Sequence, residues 1–126
     1  MMIRLYAFAA FVMSACLMTG VAMAGKADVV KVAVVETTPG SFRFDVTVRH
    51  DDQGWNHYAN AWQVVGPGGS VLGERVLLHP HETEQPFTRA LSGVAIPGEI
   101  RTVTIRARDS VHDFGGKEMS VDLPGR

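Results

Sequence analysis

Five histidines, His50, His57, His79, His81 and His112, are spread along the chain. Imidazole nitrogen is a donor that suits Zn2+ and Cu2+. The most suggestive spacing is His79-Pro80-His81. In an extended backbone, residues two apart project from one face, so two rings can converge on one ion. Pro80 stiffens the pair and biases His79 toward an extended conformation. A third nitrogen can come from His57, His112 or His50. Met119 offers a thioether, which would favour Cu+. Asp109 and Asp113 flank His112 and are placed to orient an imidazole from behind. The expected centre has His79 and His81 at its core, His57 and His112 completing it and His50 at its margin. Copper is expected ahead of zinc.

Other chemistry is less well served. Ser110, His112 and Asp113 are the residue types of a hydrolytic triad, but they stand too close in sequence to adopt its geometry, and no nucleophile elbow is present. The run Asp51-Asp52-Gln53-Gly54 resembles part of a calcium loop without the downstream glutamate at the required spacing. The chain is therefore expected to bind without catalysing, as a metal carrier or sensor. An alternative use of the same loop is recognition: Trp55 and Tyr58 can stack on a sugar or a peptide of an envelope partner, or Trp55 can cap the core. Arg89, beside Pro86-Phe87, is expected to pair with Glu84 or Asp45.

The elements that must position these residues are strands, because the apolar period is two nearly everywhere. Phe42, Phe44, Val46 and Val48 alternate with Arg43, Asp45, Thr47 and Arg49. Val103, Ile105 and Ala107 alternate with Thr102, Thr104, Arg106 and Arg108. One face is buried and one wet, as in an antiparallel sheet. Strands are expected over residues 29–36, 42–49, 58–65, 71–78, 86–91, 100–109 and 118–123. Turn signals separate them, the strongest being Gly66-Pro67-Gly68-Gly69-Ser70. The pattern predicts an all-β, seven-stranded antiparallel Greek-key sandwich. If successive strands run alternately up and down, all five histidines fall at one end of it.

The first residues read MMIRLYAFAAFVMSACLMTGVAMAG. One arginine, an apolar run and Ala22-Met23-Ala24 form a secretion signal, with cleavage expected after Ala24. The expected domain is residues 25–126, periplasmic or secreted, with no transmembrane segment. Met13-Ser14-Ala15-Cys16 resembles a lipobox, which offers the alternative of a lipid anchor at Cys16. Cys16 is the one cysteine, so the exported part has no disulfide and must rely on burial, a metal or a partner. A net charge of −1 points to neither nucleic acid nor an anionic membrane.

Trp62 falls on the inward parity of the third expected strand, where immunoglobulin-like domains often bury a tryptophan. With the run Val103 to Asp109, this resembles an immunoglobulin or fibronectin type III domain across nearly all of residues 25–126. The resemblance implies architecture alone. The cysteine pair of antibody domains is absent, as is the Cys ligand of blue-copper proteins. The chain is similar to CopC-like copper carriers in size, compartment and form. It lacks their N-terminal histidine, as it lacks that of lytic polysaccharide monooxygenases, since the expected first residue is Gly25.

Overall fold

A computed structural model describes residues 25–126; the expected secretion signal and Cys16 lie outside the described residues. The strands are β1 (Asp28–Thr38), β2 (Ser41–Arg49), β3 (Ala59–Val65), β4 (Val71–Val76), β5 (Phe87–Ala95), β6 (Thr102–Asp109), β7 (Asp113–Phe114) and β8 (Met119–Asp122). All pair antiparallel. One sheet has the order β1-β2-β5, the other β4-β3-β6-β7, and β8 also pairs with β6. The two sheets form a β-sandwich. Among the described residues, no helix is long and apolar enough to cross a membrane.

The alternation in the sequence sets the core. Phe42, Phe44, Val46 and Val48 of β2 are buried against Val103, Ile105 and Ala107 of β6 in one cluster, with Trp62 of β3 fully enclosed. Burying such side chains is the main stabilising term, at about 1.5–3 kcal/mol for each aliphatic or Phe residue. Phe87 begins β5 opposite Val48, and Ala59 begins β3 opposite Asp109. The ends of β2 and β6 and the starts of β3 and β5 therefore share one end of the sandwich.

Where seven strands are expected, eight form. β7 and β8 occupy the same edge of β6 in succession, β7 opposite Arg108 and Asp109, β8 opposite Thr102 to Ile105. Between them the chain swings across to the other sheet. The Val29 N–H donates to the Lys117 carbonyl (2.8 Å), and the Lys117 N–H donates to Asp28 Oδ1 (2.7 Å). This clasp closes the open side of the sandwich and needs a glycine. A Cβ on Gly116 would stand 2.0 Å from the Ala27 carbonyl oxygen. Gly116→Ala is expected to cost about 1–3 kcal/mol, seen as a lower urea midpoint; an unchanged midpoint would show that the clasp contributes little.

Candidate metal centre

Two inward strand positions continue past the apolar core as polar residues. His50 follows Phe42, Phe44, Val46 and Val48 at the end of β2, and Asp109 follows Val103, Ile105 and Ala107 at the end of β6. Both are only 2 % exposed. The β2–β3 loop carries His57 between them. One ligand atom from each of His50, His57 and Asp109 lies within 4.8 Å of the others, a His/Asp cluster that could hold a metal ion. The rings of His50 and His57 meet edge to face at 4.8 Å, and His112, in the β6–β7 turn, lies 4.9 Å beyond His57.

The two carboxylates here are served unequally. Asp52 is buried in the β2–β3 loop and fully partnered. Its Oδ1 accepts from His50 Nδ1 (2.6 Å) and the Ala59 N–H (2.9 Å), and its Oδ2 accepts from the His81 N–H (2.7 Å). Burial would raise this carboxyl, but the His50 ring and the two backbone N–H groups outweigh it and hold Asp52 below the usual range. On Asp109, Oδ2 alone accepts from His57 Nε2 (2.7 Å), His112 Nδ1 (2.9 Å), the His112 N–H (2.9 Å) and the Val111 N–H (3.2 Å). Its Oδ1 is buried with no partner. Burial pushes the Asp109 carboxyl up, but donation from His112, His57 and Val111 brings it below an ordinary aspartate. A buried carboxylate oxygen without a donor is costly, and such a position calls for an ion or water.

His50 has an acceptor at each nitrogen: the Asp52 carboxylate at Nδ1 and the Gly25 carbonyl at Nε2 (2.9 Å). A neutral ring can donate to only one of them, so the ring carries both protons. Burial works against that charge. The bonds to Asp52 and Gly25, with the charges of Asp52 and Asp109, prevail and raise the pKa. Gln85 secures the same corner, accepting from the His50 N–H (3.0 Å) and donating to the His81 carbonyl (2.9 Å).

The structure places all five histidines at this end but sorts them differently from the sequence expectation. His79 and His81 approach each other, with ring centroids 4.6 Å apart, yet neither belongs to the metal-competent group. The His81 ring stacks on Phe87 at 4.0 Å, and its Nε2 accepts from Arg89 Nη2 (2.8 Å). That bond leaves the proton on Nδ1, which is buried without an acceptor. Burial, then Arg89, then His79 lower the His81 pKa. A guanidinium at hydrogen-bond distance occupies the His81 Nε2 and opposes a further cation there. Arg89 also pairs with Glu84 at 3.3 Å, one of its two expected partners, while Asp45 pairs with Arg43.

Met119 does not reach the cluster. It faces Ile105, four residues down β6 from Asp109, roughly 13 Å along the strand, and packs against the apolar core. Asp113 is exposed and makes no side-chain hydrogen bond among the described residues. Asp109 does orient His112, as expected, but as a member of the group rather than only a support behind it. His50 moves from the margin to the centre. Asp52 is the residue that the sequence reading did not place here, and it holds the His50 ring. Trp55 is 67 % exposed and meets Tyr58 edge to face at 5.6 Å, so it caps no core.

Comparison with known proteins adds one relative. A protein of Halomicrobium mukohataei described as "Putative lipoprotein" is 40 % identical over 97 residues, which is 77 % of this chain and 47 % of that protein. The chain thus spans about half the length of the curated relative it matches. No family model and no solved structure matches.

Two outcomes follow from the hydrogen bonds. In an NMR pH titration, the His50 ring should titrate above about 6.5 and the His81 ring below it; the reverse order would contradict the bonding described. Asp52→Asn leaves the buried His50 charge without its counterion and should cost about 3–5 kcal/mol at neutral pH. Because the folded Asp52 pKa is depressed, its contribution is present above the unfolded value near 4 and lost as pH falls through the folded one. The His50 pKa is raised, so its share is full below about 6.5 and lost as pH rises through the folded value. The wild-type advantage in urea unfolding should therefore peak between the two and shrink on both sides.

Proposed function

We propose that this is an exported, non-catalytic metal-binding module, a carrier or sensor, that takes one Zn2+ or Cu2+ ion between His50, His57 and Asp109. The observation that carries this reading is the group of His50, His57 and Asp109, each with a ligand atom within 4.8 Å of the others, in which the buried Asp109 Oδ1 has no partner. A cation there supplies the missing partner and replaces the protons now shared with Asp109. Asp52 then holds His50 through Nδ1–H, the carboxylate–histidine support common behind metal ligands. With Nδ1 held by Asp52, Nε2, now bonded to the Gly25 carbonyl, would be the His50 nitrogen offered to an ion. His112, exposed at the rim and tied to Asp109, stands where an ion would enter.

The donor set is nitrogen and oxygen, which suits a borderline divalent ion. With Met119 remote, the thioether reason for preferring Cu+ is gone. The address is the cell envelope. The signal-like leader supports export, and the lipoprotein description of the relative supports a lipid anchor at Cys16 within Met13-Ser14-Ala15-Cys16.

Calorimetric titration of the metal-free exported protein with zinc or copper sulfate tests this. About one equivalent should bind, with proton release and weaker affinity at about pH 5.5 than at 7.5. Asp109→Asn or His57→Ala should weaken binding about 100-fold or more, while His79→Ala with His81→Ala should leave it within a few-fold. No saturable binding of either ion, or full binding by Asp109→Asn, would refute the assignment.

A further inference from the structure

A second feature lies beside His50, where the start of β1 faces the β7–β8 loop. A cleft of about 500 Å3 opens there, lined by the protonated His50 ring and by the cationic side chains Lys26, Arg49 and Lys117. Their places are set by backbone. Arg49 sits opposite Asp28 on the last rung of the β1–β2 ladder. Lys117 is held through its own N–H and carbonyl in the clasp to Asp28 and Val29. The Lys26 side chain lies flat over Gly115: a Cβ at that glycine would stand 2.8 Å from Nζ and 3.1 Å from Cδ. Gly115 thus leaves the lysine room to lie along the wall.

Two carboxylates share the lining, Asp28 and Asp51. Asp28 uses Oδ1 on the Lys117 backbone. Among the described residues, neither acid comes within 4.0 Å of the ammonium or guanidinium nitrogens of the three cations, whereas Arg43 and Arg89 each hold an ion pair elsewhere. Three cations gathered around a cleft without partners repel one another, and an anion lodged among them reverses the sign of that interaction. Charge-assisted hydrogen bonds from lysine and arginine favour phosphate and carboxylate oxygens.

We propose that this cleft is a binding site for a small oxyanion, a phosphate or carboxylate group, held by Lys26, Arg49 and Lys117. Lys26, Arg49 and Lys117 are not metal ligands, and no ion is needed to form the cleft, which shares His50 with the histidine cluster. It gives the domain a second kind of cargo or co-ligand adjoining the histidine cluster.

The test uses the exported protein, freed of metal, in amide-resolved NMR titrations with inorganic phosphate and with citrate. Saturable shifts at Lys26, Arg49, Gly115, Gly116 and Lys117, weakened by added sodium chloride, are expected with at least one of the two. The double variant Arg49→Gln/Lys117→Gln should lose about tenfold or more in affinity with an unchanged unfolding midpoint. His57→Ala should bind the anion as the parent does, which separates failure here from failure of the metal site. Absence of saturable shifts with both anions, or equal affinity in the double variant, would overturn the proposal.

Discussion

The buried contact between His50 and Asp52 organises this end of the molecule. Taking a carboxylate and an imidazolium out of water is expensive, and only close pairing with every remaining lone pair satisfied makes it tolerable. Asp52 meets that requirement by gathering three separate stretches of chain: the end of β2 through the His50 ring, the start of β3 through Ala59, and the β4–β5 connection through the His81 N–H. Gln85 repeats the tie between the first and last of these. These bonds tie loops with little apolar content of their own to the strands they join.

On that frame, Asp109 contrasts with Asp52. Asp52 spends both oxygens on donors, whereas Asp109 crowds its donors onto one oxygen and leaves the other buried and bare. Both residues close a polar cap over the same apolar core, but one looks finished and the other looks like half of a coordination sphere.

Much of the fold was legible in the sequence because burial on one face of a strand writes itself as a period of two. Phe42 to Val48 and Val103 to Ala107 announced their inward faces. The same parity, carried one step further, falls on His50 and Asp109, a signal in the sequence that a search for close His-x-His spacing passes over. The β7 strand was not legible: two residues are too few to show a period, and only pairing with β6 makes Asp113–Phe114 a strand.

The sequence by itself determined the all-β architecture and the gathering of the histidines at one end, because alternating strand direction follows from short turns. It did not determine which histidines gather around a buried carboxylate able to hold a metal ion. That was decided by tertiary neighbours: Arg89, eight residues from His81, occupies that ring's nitrogen, and Asp109, fifty-two residues from His57, presents the free oxygen. Hydrogen-bond capacity is local to an atom but is consumed by whatever the fold brings next to it. A side chain's chemistry is therefore readable from its type, and its availability only from its surroundings.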